Sequence, residues 1–546
     1  MHKPWLRHYD SWVPETIEYP TQPLYTLFRN AALANSDKTA LVFFDQEITY
    51  GQLLDWTDRF AAALAAAGIA TGDRIVLSLP NCPQFPVAYY ALQKLGAVVV
   101  MLNPLSVPRE IEYKCRNSRA RGLIALDMFA EQFLPVADKT GLDLVVFANI
   151  LGLLPSGTAP TSVDKEGIRD FSEMATWREA HGPHNEGGMD DLAVIIYTGG
   201  TTGDPKGAML SHLNIITNSW SIAGWFGIRP DDRGLAVLPF FHGFGMQVML
   251  NTHLLFGASL VVMPRFDIED LLNLVHKHHP TVMVGVPTIF VAVNNHPERS
   301  NYDFSSVRCA VSGGAPLPLS VKHAFEDFTG GKLLEGYGLT ESTCAVCANP
   351  YQGLYKEGTI GIPMPDVDMK IVDLDTGTKD MPVGESGEII IKSPTVMIGY
   401  YGNATATKEN IRDGWLYSGD IGAMDEDGYF TILDRKKEMI IASGFNIYPK
   451  EVENILCGHP AVSEAAVIGV PDSYRGETVK AFITMAPGAE VSEEEITAFC
   501  RENMLRYMVP AEIEFRNELP KTPIGKILKK ELKAEELARM ETVPPA

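Results

Sequence analysis

Apolar runs of strand length alternate with helical periodicity through most of the N-terminal part of the chain, at 74–79, 97–102, 144–147, 192–197, 259–263, 282–286 and 307–311. This alternation predicts an α/β architecture. Several runs end in glycine or proline loops, Val286-Pro287 and Val311-Ser-Gly-Gly-Ala-Pro316 among them, and open α/β sheets place ligands at the loops beyond their strand ends. From Lys370 the pattern changes to short β-like runs broken by turns such as Gly384-Glu-Ser-Gly387 and Asp425-Glu-Asp-Gly428, which predicts a smaller β-rich unit. The charged run Asp434-Arg-Lys-Lys-Glu438 follows the strand-like 429–433 and reads as a hinge. Beyond it the pattern gives a helix (449–456), two strands (465–470, 479–485), a helix opened by the capping box Ser492-Glu-Glu-Glu495, a strand (513–515) and a terminal helix. The expected organisation is a large N-terminal domain of αβ-layered sheets with a β-rich subdomain (1–433), a hinge (434–438) and a small, mobile α+β C-terminal domain (439–546).

The segment Tyr197-Thr-Gly-Gly-Thr-Thr-Gly-Asp-Pro-Lys-Gly-Ala-Met-Leu-Ser-His212 packs four glycines, three threonines and a lysine behind the apolar run 192–197. It reads as a grip for phosphates. Glycines let backbone N–H groups turn toward an anion, and threonine hydroxyls and Lys206 add donors and charge. Ser211 is placed to cap a following helix, so the loop is expected to join a buried strand to a helix. A P-loop has its lysine after a glycine and before Ser or Thr; here Lys206 lies between Pro205 and Gly207, which excludes a Walker-type site.

Composition narrows the function classes. A chain of 546 residues, 46% hydrophobic, can bury several cores, and no apolar run reaches the ~18 residues of a membrane span. Any membrane contact is expected to be peripheral. A net charge of −22 and a pI near 5.0 argue against nucleic acid as a partner. Seven scattered cysteines and an N-terminus without a signal-peptide core point to a reducing cytoplasm, and Cys344-x-x-Cys347, lacking a second pair, reads as buried free thiols.

Four further clusters carry candidate chemistry. Glu335-Gly-Tyr-Gly-Leu-Thr-Glu341 combines close-approach glycines, the Thr340 hydroxyl and a carboxylate suited to Mg²⁺. Tyr417-Ser-Gly-Asp420 offers a carboxylate for paired hydroxyls, Asp434-Arg435-Lys436-Lys437 offers cations, and Pro520-Lys-Thr-Pro-Ile-Gly-Lys526 presents a lysine beside a turn. Each has a plain reading as turn or surface when taken alone.

Together with Leu238-Pro-Phe-Phe-His242-Gly-Phe-Gly, these clusters resemble, in order and spacing, the adenylate-forming superfamily of acyl-CoA synthetases, adenylation domains and beetle luciferases. The resemblance runs from about residue 25 to residue 535 and rests on YTGGTTGDPKG, SGGAPL, EGYGLTES, YSGD, DRKKE, SGFNIYP and PKTPIGK occurring together. The segment around DGWLYSGDIGAMDEDGYFTILDRKKE is most similar to bacterial fatty acyl-CoA ligases. The resemblance implies an AMP-forming acid-thiol ligase: a carboxylic acid attacks the α-phosphate of Mg-ATP to give an acyl-adenylate and pyrophosphate, and coenzyme A then displaces AMP. Two anions must meet in the first step, so positioning and charge neutralisation carry catalysis.

By matching positions, the resemblance implies that Thr198, Gly199, Gly200, Thr201, Thr202 and Gly203 with Lys206 hold the β and γ phosphates. Glu341 and Thr198 would ligate Mg²⁺, and Thr340 would hold the α-phosphate. Gly313, Gly314, Ala315 and Pro316, with Glu335, Gly336, Tyr337 and Gly338, would bracket the adenine. Asp420 and Arg435 would take the ribose hydroxyls, with Ile432 nearby, and Lys526 would bridge the acyl carboxylate and α-phosphate. His242 would gate the carboxylate. Lys437 would lie at the hinge, and Ser443, Gly444 and Phe445 would line the pantetheine path.

Candidate acyl-pocket residues are Trp220, Trp225, Phe244, Cys344 and Ala345, all apolar or small, which favours a fatty acid. Burying a methylene is worth about 0.8 kcal/mol, so a pocket deeper by four carbons discriminates about a hundredfold, a depth the residues do not reveal. The rivals are an aryl-CoA ligase of the coumarate or benzoate type, an enzyme loading a carrier protein, and a non-catalytic nucleotide-binding regulator. Retention of Lys526, Glu341 and Asp420 argues against the last. A homodimer is compatible with the resemblance.

Overall fold

The computed structural model describes all residues except 1–2, 155–162, 164–166, 179–181, 199–204, 443–444, 473–474, 522–526 and 543–546. The chain divides into two compact units, one of residues 1–368 and 391–416, the other of 369–390 and 417–546.

The first unit holds two large sheets. In one, the strands Arg74–Ser78, Val98–Met101, Gly122–Leu126, Leu144–Ala148 and Leu192–Thr198 run parallel, and each is an apolar stretch too short for a helix. Their side chains are buried on both faces; Ile75, Val76, Val99, Val100, Ile124, Val146, Val194 and Ile195 are fully inside. In the other, Arg233–Ala236, Ser259–Val262, Val282–Gly285, Cys309–Ser312 and Lys332–Gly338 are parallel in the same way. The expected α/β architecture is present, and the chemistry-bearing loops lie beyond the ends of these strands.

One local expectation fails. The glycine loop does not lead from strand to helix, because Lys206–Ser211 forms a second strand paired antiparallel with Leu192–Thr198, Thr198 opposite Lys206 and Ile196 opposite Ala208. The described residues on either side of the glycine run are thus two paired strands. The short run Gly207-Ala-Met-Leu-Ser211 is apolar enough to extend an edge of the buried sheet, and the strand pairing satisfies backbone groups that a loop would leave bare. Only then does Ser211, in a complete capping box with Asn214, open the helix His212–Phe226.

The second unit contains most of a β-rich sheet, whose strands Gly387–Lys392 and Trp415–Met424 cross the unit's bounds and are joined by Phe430–Arg435, and a compact α+β portion. In the latter, the long hairpin Val462–Asp472 and Gly476–Met485 is joined by Glu512–Arg516 and packed by the helices Pro449–Cys457 and Glu493–Asn503. The Ser492 capping box is in place. The strand Phe430–Arg435 runs into the charged segment expected to begin the hinge, so Asp434 and Arg435 are strand residues.

Candidate active site

The strand Leu192–Thr198 delivers Thr198 to the mouth of the hairpin, half-buried, its Oγ1 donating to the Lys206 backbone carbonyl at 3.4 Å. Lys206 opens the returning strand. Gly199, Gly200, Thr201, Thr202 and Gly203, between them, lie outside the described residues.

A short segment straps this hairpin. Ile398 donates its N–H to the Met209 carbonyl and Tyr401 to that of Gly207, so Gly399–Tyr400 adds a strand to the hairpin's free edge. The Lys206 ammonium sits 5.2 Å from the centroid of the Tyr400 ring. On the other side, the Tyr400 hydroxyl donates to Glu341 Oε1 at 2.8 Å, and the Met397 N–H donates to the Glu341 carbonyl at 2.8 Å. Thr198 and Lys206, eight residues apart, are thus brought together with Glu341, which is distant from both in sequence. Tyr400 was missed in the sequence reading; its one signal there is the glycine before it, whose φ of +151° suits the bend that enters the strap.

Glu341 lies in a single 3₁₀ turn, Thr340–Ser342, directly after the strand Lys332–Gly338. That strand supplies the other adenine candidates. Glu335 is buried and accepts from the Leu317 N–H at 3.4 Å, while Gly336 and Tyr337 pair with Ala348 and Cys347. Gly338 is required for packing, since a Cβ there would fall 1.4 Å from the Cys344 carbonyl oxygen. Gly313 follows the neighbouring strand Cys309–Ser312, and a Cβ on it would come 3.0 Å from the Phe244 ring and 3.3 Å from the Gly336 carbonyl. The two glycine segments therefore lie side by side, with Phe244 against them. Gly314 takes a positive φ of +78°, and Ala315 and Pro316 are exposed beyond it.

His242 begins the turn that carries Phe244, accepting the Phe244 N–H on Nδ1 at 3.2 Å. Burial pushes its pKa down, which keeps the ring neutral. A π-helix, Gly245–Asn251, follows at once, and such wide turns concentrate at functional sites. The same turn abuts the Glu341 segment, because a Cβ on Gly243 would lie 3.1 Å from the Thr343 carbonyl.

The pocket candidates separate. Cys344 and Ala345 adjoin the Glu341 turn, with the Ala345 carbonyl accepting from Asn218 Nδ2 at 2.6 Å and burial pushing the Cys344 thiol up to about 12. Trp225 faces elsewhere: it is fully buried, donates to the Asn349 carbonyl at 3.1 Å and meets the Tyr9 ring edge-on. Trp220 packs on Phe256. Phe244, Cys344 and Ala345 are grouped with the phosphate and metal candidates, and neither tryptophan is. Cys347 is buried, with Sγ 3.3 Å from the Ile360 carbonyl oxygen.

In the second unit, strand register sets Asp420 opposite Arg435, and Arg435 Nε lies 2.6 Å from Asp420 Oδ1. The next residue, Lys436, pairs with Glu388 at 2.9 Å. Ile432 lies opposite Gly422 in the same ladder, Lys437 sits exposed in the turn that follows, and Phe445 opens the strand Phe445–Ile447. Ser443, Gly444 and Lys526 lie outside the described residues.

Residues 28–401 match the family described as AMP-binding enzyme, and residues 451–526 match the AMP-binding enzyme C-terminal domain. The chain belongs to the AMP-binding enzyme family. Among its relatives is the long-chain-fatty-acid–CoA ligase of Bacillus subtilis (strain 168), 40% identical over 98% of both chains. The protein of that name from Salmonella typhimurium is 38% identical over 99% of this chain and 100% of its own. Among solved structures, the anthranilate CoA ligase AuaEII in complex with anthranoyl-AMP superposes with a TM-score of 0.85 at 30% identity, covering 95% of this chain and 98% of that one. The motif resemblance is borne out, as is the mixed α/β fold of this AMP-binding enzyme. No helix among the described residues is long and apolar enough to cross a membrane.

Proposed function

We propose that this AMP-binding enzyme is an ATP-dependent acyl-CoA synthetase that joins a long-chain fatty acid to coenzyme A, with AMP and pyrophosphate as the other products. The acid's carboxylate attacks the α-phosphate of ATP, expelling pyrophosphate, and the thiol then attacks the acyl carbon of the adenylate, expelling AMP. The observation that carries the reading is the placing of Lys206 and Glu341 on either side of Tyr400, with Thr198 hydrogen-bonded to the Lys206 carbonyl, which sets a hydroxyl, a cation and a carboxylate at the end of one antiparallel strand pair. Full-length similarity to proteins named long-chain-fatty-acid–CoA ligase supports the acyl class.

The donor set fits Mg²⁺. A carboxylate and a hydroxyl are hard oxygen donors, and Mg²⁺ characteristically takes its remaining ligands from phosphate and water. Glu341, with Thr198, would hold the ion, which when bound would neutralise phosphate charge. Lys206 would steady the departing pyrophosphate, Asp420 and Arg435 the ribose, and Lys526 the α-phosphate and carboxylate. His242, neutral and beside Phe244, would border the carboxylate without adding a charge to it.

The test is AMP release from Mg-ATP across aliphatic acids of rising chain length and a set of aromatic acids, with and without coenzyme A. Long aliphatic acids should give the highest kcat/KM, and AMP formation should turn over only with coenzyme A present. Preference for aromatic acids would overturn the acyl class, and turnover indifferent to coenzyme A would overturn the acceptor.

A further inference from the structure

Tyr400 stands at the centre of the hairpin cluster, and nothing in its local sequence requires an aromatic residue there. It is 5% exposed, and its backbone is fixed on every side: its N–H donates to Thr407 Oγ1 at 2.8 Å, its carbonyl accepts from the Asn403 N–H at 3.1 Å, and it pairs with Ala208 across the ladder. Two polar partners use opposite features of the side chain. The hydroxyl donates to Glu341 Oε1, and the π face meets the Lys206 ammonium. A carboxylate oxygen can only accept, so in this contact the phenol hydroxyl is the donor.

We propose that Tyr400 is a positioning residue that sets the Glu341 carboxylate and the Lys206 ammonium at a fixed separation, so that the divalent cation and the phosphates of one Mg-ATP are met together. This rests on the assignment of Glu341 to the metal and Lys206 to phosphate. A neutral donor is the partner this task needs. A direct Lys206–Glu341 ion pair would neutralise both groups, whereas a tyrosine inserted between them orients each and consumes neither charge. The 397–401 strap ties both backbones as well, through Met397 to Glu341 and through Tyr401 to Gly207. The hydroxyl and the ring then act on different parts of the ligand, so they are separable by substitution.

The experiment is calorimetric binding of ATP to the intact enzyme with excess Mg²⁺ and with Mg²⁺ chelated, for Tyr400→Phe, Tyr400→Leu and Glu341→Gln. Tyr400→Phe keeps the ring over Lys206 and should leave metal-free ATP affinity unchanged while cutting the Mg²⁺-dependent gain about tenfold. Tyr400→Leu should lose that gain and weaken metal-free ATP binding several-fold as well. A merely structural role would weaken both conditions equally in both variants, and that result would overturn the proposal. Full Mg²⁺ dependence in Tyr400→Phe alongside its loss in Glu341→Gln would also overturn it, leaving the metal assignment intact. Full Mg²⁺ dependence in Glu341→Gln would overturn that assignment and, with it, this role for Tyr400.

Discussion

Glu341 in the first unit and Asp420 in the second are both proposed to serve the nucleotide, yet they are held in opposite ways. Glu341 is half-buried and receives a neutral hydroxyl from Tyr400, whereas Asp420, 2% exposed, is met by the Arg435 guanidinium at 2.6 Å. A neutral donor orients a carboxylate and leaves its charge for an incoming cation. A guanidinium compensates the charge and leaves lone pairs for uncharged hydroxyls, which suits a ribose. On the proposed roles, the partner of each carboxylate, more than the carboxylate itself, would separate a metal ligand from a sugar ligand.

The same contrast governs stability, and acid should expose it most strongly. His212 in the first unit accepts the Leu24 N–H on Nδ1 at 3.3 Å, and His253 holds Nδ1 3.1 Å from the carbonyls of Val248 and Met249; burial pushes both down to about 4. The unfolded chain, with histidine near 6.5, binds these protons more readily, so their stabilisation is complete above about pH 6.5. It is lost as pH falls towards 4 and changes no further below, at up to about 3 kcal/mol per histidine. Urea midpoints measured stepwise through this window should fall, and His253→Gln should flatten part of the slope. A midpoint constant through the window would break the picture of neutral polar groups in the first unit.

Next in size is Arg435→Met, which removes the guanidinium that meets the buried Asp420 and should cost about 3 kcal/mol in urea unfolding of the second unit, with a raised KM for ATP. A loss below about 1 kcal/mol would mean that water already compensates Asp420. Glu341→Gln should change stability least, by under about 1 kcal/mol, because the amide oxygen still accepts from Tyr400. It should nonetheless slow AMP formation about a hundredfold, read as kcat at saturating ATP. A stability loss matching that of Arg435→Met would erase the distinction between the two carboxylates.

Much of this was legible along the chain. The buried strands 74–79, 97–102 and 192–197 announce themselves as apolar runs, the Ser211 and Ser492 caps satisfy local backbone donors, and the glycine clusters mark strand ends. Asp420 and Arg435 were each named as candidate site residues from motifs; that they form a pair depends on the register of two strands, which neither motif contains. The strand Lys206–Ser211 was read as a loop because its six residues resemble a helix approach until a partner strand satisfies them. Trp225 carries the right chemistry for an acyl pocket, and only packing turns it towards Tyr9 and Asn349.

The sequence alone determined the family, the reaction class and most of the local elements, because these depend on motifs and periodicities whose physical cause lies within a few residues. Tertiary structure decided the electrostatics. The nearness of Tyr400 to both Lys206 and Glu341 follows from three segments meeting at one sheet edge, and a hydrogen bond or a π face acts only at contact distance, whatever the separation along the chain.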